Sequence, residues 1–278
     1  MPPSAVETHY DHQANKQISR GQYIAHRKVG PLIKYKDFAN KVKRRMFKQY
    51  AKNAASLIDL GCGRGGDISK WRDANAQHVL AMDLSAEQLD ECRKREKSSG
   101  QSKSATRITW LQGSILDAEL ELKLRPLMPA ASQAGGADAV AVMFAVQFAF
   151  SSPQHADQLL QTISSLLKPG GYFFGTAPDA GAIATAVGAA GSLHLHPPDH
   201  PFSLLLRLLP SESGTEAGGV EGEGGGWYAR PLLFSLEDTV TSGTDSSGCI
   251  EYLCHRDALV KLAADHGLEP LELAGDWP

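Results

Sequence analysis

The sequence predicts an α/β fold, a doubly wound, mostly parallel sheet with antiparallel strands toward the C-terminus. Three observations carry it. Short apolar runs without internal alternation recur between helix-like stretches, as expected of parallel strands buried on both faces. The first of these runs stops in a glycine-rich turn, Gly61-Cys-Gly-Arg-Gly-Gly66. The second ends on an acid, Asp83, one strand-helix unit later.

The elements follow in order. Residues 1–29 are polar and weakly periodic and are expected as a flexible lead-in, leaving 30–278 as a single domain. Ile33, Tyr35, Phe38, Val42, Met46 and Phe47 recur at helical spacing up to Tyr50. Residues 56–60 form an apolar run and 68–73 a helix after the glycines. A second strand is expected over 78–83, then a helix over 85–97 that Ser85 caps. Strands at 108–112 and 139–144 precede a helix over 154–167, which Lys168-Pro-Gly-Gly171 stops before a fifth strand at 172–175. Beyond Asp179 the pattern loosens into an Ala/Gly-rich stretch, 180–191, and 211–226 reads as a low-complexity insertion. Strands at 232–236 and 250–254, a helix at 256–266 and a last strand at 268–273 complete the expectation.

Composition excludes several classes. Forty-two per cent hydrophobic and 21 per cent charged residues are globular values. A net charge of −3 speaks against long, sequence-independent duplex binding, and Lys41, Lys43, Arg44, Arg45 and Lys48 form either a local basic patch or a solvated helix face. The N-terminus lacks a signal-peptide pattern and no apolar run reaches spanning length, so an intracellular, soluble protein without membrane partners is expected. Four scattered cysteines support neither disulfides nor a zinc site. The cluster His194-Leu-His196-Pro-Pro-Asp199-His200 is expected as a polar loop, and no metal is expected.

A glycine turn between a strand and a helix lets a ligand approach backbone and N–H donors, and a carboxylate at Asp83 can accept from the ribose hydroxyls of an adenosine. That geometry also serves nicotinamide dinucleotides. S-adenosyl-L-methionine (AdoMet) is favoured because Asp59 precedes the glycines, Cys62 separates the first two, and Asp67 would repel a pyrophosphate. A merely structural loop is the third reading.

The run Asp59-Leu-Gly-Cys-Gly-Arg-Gly-Gly-Asp67, followed by Ile-Ser-Lys-Trp71, resembles the cofactor motif of eukaryotic and viral mRNA cap guanine-N7 methyltransferases, Asp-Leu-Gly-Cys-Gly-Lys-Gly-Gly-Asp and then Lys-Trp. Upstream, the stretch from Pro31 to Lys43 is similar to that family's helix ending Asn-Asn-Trp-x-Lys. Downstream, Leu167-Lys-Pro-Gly-Gly-Tyr-Phe-Phe-Gly-Thr-Ala-Pro-Asp179, Phe234-Ser-Leu-Glu-Asp238 and Glu251-Tyr-Leu253 continue the likeness over roughly residues 9–273. The resemblance implies the Rossmann-like fold of a class I methyltransferase, AdoMet as cofactor, and transfer of its methyl group to guanine N7 of a 5′ GpppN cap. It further implies a nuclear, RNA-binding enzyme of mRNA capping, whose partners are the capped 5′ end of mRNA and other capping enzymes or the RNA polymerase II machinery.

Carried over by position, Lys43, Gly61, Cys62, Gly63, Asp67, Asp83, Gly113, Ser114 and Met143 would lie on the cofactor side, with Lys43 reaching the AdoMet carboxylate and residues 112–114 beside the adenine. Asn40, Phe144, Gln147, Phe148, Pro178 and Glu251 would face the cap. No residue is implied as a general acid or base. Several positions depart from the family. Met143, Gln147 and Phe148 replace an amide and two cap-side polar groups, an adenine-binding aspartate is replaced around Gly113, and Leu232 stands where a stacking tyrosine is expected. The sequence ends at Asp276-Trp-Pro278, short of the family's terminal antiparallel strands, so a fragment or a pocket open on one side is expected. These departures keep two alternatives in view: a methyltransferase for another RNA position or a small molecule, and a catalytically weak scaffold.

Overall fold

The computed structural model describes residues 5–15, 30–98, 106–210, 227–237, 239, 241–242 and 248–272. Strands β1 (Leu57–Leu60), β2 (His78–Asp83), β3 (Arg107–Gln112), β4 (Ala137–Met143) and β5 (Leu167–Thr176) form a parallel sheet in the order β3-β2-β1-β4-β5. The helices are α1 (Ala5–Asn15), α2 (Ile33–Tyr50), α3 (Ile68–Asp73), α4 (Ala86–Ser98), α5 (Leu120–Leu124), α6 (Ala130–Gly135), α7 (Pro153–Leu166), α8 (Ala180–Val187) and α9 (Arg256–Asp265).

Period-two alternation splits the strand side chains between two cores. Leu57, Val79, Ala81, Ala139 and Ala141 meet Phe47 of α2, Trp71 of α3 and Leu89 of α4, while Ile58, Leu80, Met82, Val140 and Val142 meet Leu124 of α5, Leu160 and Ile163 of α7 and Ala258 of α9. Both faces are covered, which is why these runs are mostly apolar rather than alternating, Asp59 in β1 being the buried exception. Order reverses between β1 and β4, whose carboxyl ends therefore border the crevice where ligands enter such sheets.

A second sheet follows. Strands β6 (Ser192–Leu195), β7 (Leu204–Leu208), β8 (Pro231–Leu236) and β9 (Cys249–Tyr252) pair antiparallel in chain order. It docks through β9 on the 3₁₀ helix Val146–Ser151, and a bridge between Asp179 and Cys254 ties the loop after β5 to the end of β9.

Several expectations change. Part of the expected lead-in is helical, because α1 packs on α4 and β9. The Ala/Gly-rich stretch forms α8, where alanines sustain a helix capped by Asp179, whose Oδ1 accepts from Ala182 N at 2.6 Å. His194 lies on strand β6 rather than in a loop. No strand forms over 268–272. There Gly267, at φ +72°, donates to Ala264 O at 3.0 Å and Leu268 donates to Ala263 O at 2.9 Å, so Leu268 is used in closing α9. The insertion at 211–226 lies outside the described residues.

Candidate active site

Between β1 and α3 the chain turns through Gly61 (φ +85°), Gly63 (φ +51°) and Gly65 (φ +75°), conformations that side chains disfavour. A Cβ on Gly61 would come within 2.7 Å of Ala145 Cβ, whereas one on Gly63 would meet nothing within 4 Å, so open space lies against the middle of the loop. Met82 O accepts from Gly61 N at 2.8 Å and Cys62 N at 2.9 Å, fixing the turn to the end of β2. The Asp83 carboxylate accepts from Gly63 N at 2.7 Å and Ser85 N at 3.0 Å. Burial pushes its pKa up, above the ordinary carboxylate range, against these donors. Gly113 N donates to Asp83 O at 3.0 Å, and the next residue, Ser114, caps its own turn by accepting from Leu116 N at 3.1 Å.

At the other end of the loop, Asp67 is buried between two ammonium groups, with Lys43 at 2.8 Å and Lys70 at 2.7 Å. Burial pushes its carboxyl up, but the two lysines outweigh that and hold it below the ordinary range. Asp59 accepts from Trp71 Nε1 at 2.8 Å through Oδ2, while its buried Oδ1 has no partner among the described residues. Burial, reinforced by Asp67, pushes Asp59 up to about 7.

From Lys43 a connected series runs toward the second sheet. The Lys43 ammonium lies 5.6 Å from the centre of the Phe144 ring. Phe144 is held at φ +57°, rare for a bulky residue, with its N–H donating to Thr176 O at 2.8 Å. Gln147 Nε2 donates to Phe144 O at 3.0 Å and to Glu251 Oε2 at 3.3 Å, and Gln147 Oε1 is buried without a partner among the described residues. Glu251 itself is only 3% exposed, and burial pushes it up to about 7 against the Gln147 donor. Phe148 meets the ring of Tyr10 edge-on at 6.3 Å.

The expected site residues therefore divide. Gly61, Gly63, Asp67, Asp83, Gly113, Ser114 and Lys43 converge on the loop, and Phe144, Gln147, Phe148 and Glu251 on one region beside it. Pro178 sits one residue before the Asp179–Cys254 bridge that leads to β9. Cys62 and Met143 are buried in the core behind the loop, so Cys62 contributes its backbone there. Asn40 is tied to its own helix, donating to Lys36 O at 2.8 Å. Leu232 packs with Ala180, Val187, Leu206 and Leu253 in the core of the second sheet.

Sequence reasoning missed Tyr10. Its Oη lies 3.9 Å from Cys249 Sγ, and its carbonyl accepts from Gln88 Nε2 at 3.0 Å. Ser85 and Asp11 bond in the next position of α1. Burial, with Cys249 and Glu251 adding to it, holds the Tyr10 phenol well above its ordinary range. The sole sequence signal was Val6 and Tyr10 spaced by one helical turn.

The glycine loop, the buried acid at Asp83 and the lysines paired on Asp67 suit an AdoMet-type cofactor, and comparison with known proteins names the group. A model of the mRNA (guanine-N(7))-methyltransferase domain matches residues 3–194. The chain belongs to the mRNA (guanine-N(7))-methyltransferase family. Relatives in this cap methyltransferase family include mRNA cap guanine-N(7) methyltransferase 2 of Oryza sativa, 35% identical over 143 residues, which are 51% of this chain and 40% of the relative. The enzyme named mRNA cap guanine-N(7) methyltransferase 1 of Arabidopsis thaliana is 28% identical over 195 residues, 68% of this chain and 49% of its own length. The Drosophila melanogaster cap methyltransferase is 26% identical over 250 residues, 85% of this chain and 53% of its own. The chain thus spans about half the length of these relatives or less. Among solved structures, the CcbJ methyltransferase of Streptomyces caelestis matches with a TM-score of 0.53 at 15% identity, covering 84% of this chain and 80% of that one. The PH0226 protein of Pyrococcus horikoshii matches with a TM-score of 0.53 at 14% identity and 89% coverage of both chains. These two likenesses concern the fold, that of class I AdoMet-dependent methyltransferases.

Proposed function

We propose that the protein transfers a methyl group from AdoMet to guanine N7 of the 5′ GpppN cap of mRNA. The observation that carries this reading is the connected series Asp67–Lys43–Phe144–Gln147–Glu251, which joins the glycine loop to a buried carboxylate. A carboxylate can accept from both N1–H and the exocyclic amine of guanine, whereas adenine offers no such donor pair. The family membership points to the same substrate.

The residues present fit the cofactor. Each Asp83 oxygen retains acceptor capacity beyond its backbone partner, as two ribose hydroxyls require. The orphaned Asp59 Oδ1 suits an ammonium and the Lys43 ammonium suits a carboxylate, the two charges of an amino-acid end. The open space at Gly63 lets the ligand lie against backbone, and Gly113 and Ser114 flank the adenine side.

Bound AdoMet supplies an electrophilic methyl on a sulfonium. Guanine N7 has a lone pair and no proton, so the chain need not provide a general base. Its residues bind and orient. Glu251, ionised, fixes the guanine edge; Gln147 holds Glu251 through Nε2 and offers Oε1 as a further acceptor. Phe144, Phe148 and Tyr10 form apolar walls that exclude water from the line of transfer. Buried carboxylates at Asp59, Asp83 and Glu251 favour the positive charge that passes to the guanine.

The same reading makes the capped 5′ end of mRNA the partner and implies a nuclear enzyme working beside other capping enzymes or the RNA polymerase II machinery. None of the described helices is long and apolar enough to cross a membrane. Labelled AdoMet with GpppG or ApppG tests the substrate: label on GpppG alone is expected, and equal labelling, or none on either, contradicts the proposal.

A further inference from the structure

Helix α2 carries two jobs along its length. Its second half supplies Met46, Phe47 and Tyr50 to the core, and Val42 packs partly against the same cluster. Its first half does not. Tyr35 and Phe38 continue the apolar stripe at three- and four-residue spacing, yet they are 44% and 50% exposed.

A helix turns about 100° per residue. Around α2, from the site outward, that turn places Lys43, then Tyr35, then Phe38, then Lys34 and Lys41 together. Lys43 touches Asp67 and the Phe144 ring, so this circuit starts at the loop and the face of Phe144. Lys34, Phe38 and Lys41 fall at i, i+4 and i+7 and form one surface row, and all three are exposed. Around the helix Tyr35 stands between that row and Lys43, which lies about half a turn from Lys34 and Lys41. Partial burial, with Glu251 adding to it, holds the Tyr35 phenol above its ordinary range, in keeping with a place at the pocket rim. Charge follows the same line. Within a chain of net charge −3, α2 carries seven Lys and Arg residues and one carboxylate, Asp37, which stands three residues after Lys34 and four before Lys41 on the edge of the row.

We propose that the Lys34–Tyr35–Phe38–Lys41 face of α2 carries the 5′ segment of the transcript just beyond the cap, lysines on phosphates and aromatic rings against the first bases. The inference rests on the cap reading, since a guanine held at Glu251 is covalently continuous with a triphosphate and a strand that must leave over the pocket rim. Exposed aromatics interleaved with lysines suit single-stranded nucleic acid, whose bases all present a stacking face and whose backbone presents one charge per nucleotide. The face reads no particular sequence, because stacking and phosphate contacts tolerate any base.

The test compares kcat/KM for the dinucleotide GpppG with that for a GpppG-capped RNA of about 20 nucleotides, longer than the stretch such faces usually track. Wild type, Lys34→Ala/Lys41→Ala and Phe38→Ala are each assayed over a range of salt. Wild type is expected to prefer the RNA, and both variants are expected to lose about tenfold more on the RNA than on the dinucleotide. For the double lysine variant the slope of log kcat/KM against log salt on RNA should fall by about 1.4, two single-strand phosphate contacts, while Phe38→Ala keeps the wild-type slope. Equal losses on the two substrates, an unchanged slope in the lysine variant, or a wild type indifferent to the RNA body would overturn the RNA path while leaving the cap reading in place. A wild type that methylates neither substrate would instead remove the cap reading, and the path with it.

Discussion

Burial holds the Glu251 carboxyl near pH 7, so across the neutral range this one group changes from neutral to charged. Only the charged form accepts both guanine donors. Cap methylation should therefore rise with pH through about 7, and Glu251→Gln should flatten that profile. The variant should cost at least about 100-fold in kcat/KM for the cap, a loss of about 3 kcal/mol, while calorimetry finds AdoMet affinity nearly unchanged. Stability carries the opposite sign. A carboxyl raised on folding contributes stability that is present below its unfolded value of 4.5 and is lost as pH rises through about 7. Glu251→Gln should accordingly raise the melting temperature relative to wild type at about pH 8 and not at about pH 4. Gly61 makes the complementary case at the loop. Its φ is +85°, and an added methyl group would sit 2.7 Å from Ala145 Cβ. Gly61→Ala should therefore destabilise the fold by about 1–3 kcal/mol in urea titrations and weaken AdoMet binding in the same protein.

At the scale of elements, α1 shows why part of the site was illegible in sequence. Its signal is one turn of Val6 and Tyr10 among polar residues, and it gains its place only through contacts with Gln88, Ser85 and Cys249, far along the chain. Tyr10→Ala removes an edge-on ring contact with Phe148 and lets water reach Glu251, so the midpoint of the activity–pH profile should shift below about 7, a change a purely stabilising residue would not produce. The sheet strands were legible because burial on both faces leaves continuous apolar runs, and β2 begins and ends as expected at His78 and Asp83. Helix α8 and strand β6 were not, since alanine and glycine tracts carry no amphipathic period and the pairing of β6 depends on β7. The strand expected at 268–273 failed for a local reason, the glycine closure of α9 that takes up Leu268.

For the whole molecule, the cofactor side and the substrate side differ in how far along the chain their parts lie. Gly61, Asp67 and Asp83 belong to one strand–turn–helix–strand unit and could be read together from the sequence. The substrate side joins Gln147 to Glu251 across 104 positions, through a second sheet whose order is set by tertiary pairing. The second sheet also explains why Leu232 is not a stacking residue. It is paired with Glu251 across β8 and β9, but it is buried in that sheet's own core. The open face of α2 is a third feature of this scale, whose sequence signals are the basic residues around Lys41 and an apolar stripe that outruns its core. The most direct measurement is the position of the transferred methyl. GpppG-capped RNA methylated with labelled AdoMet, then digested to nucleosides, should carry its label on 7-methylguanosine from the cap; label on any other nucleoside or position would contradict transfer to guanine N7.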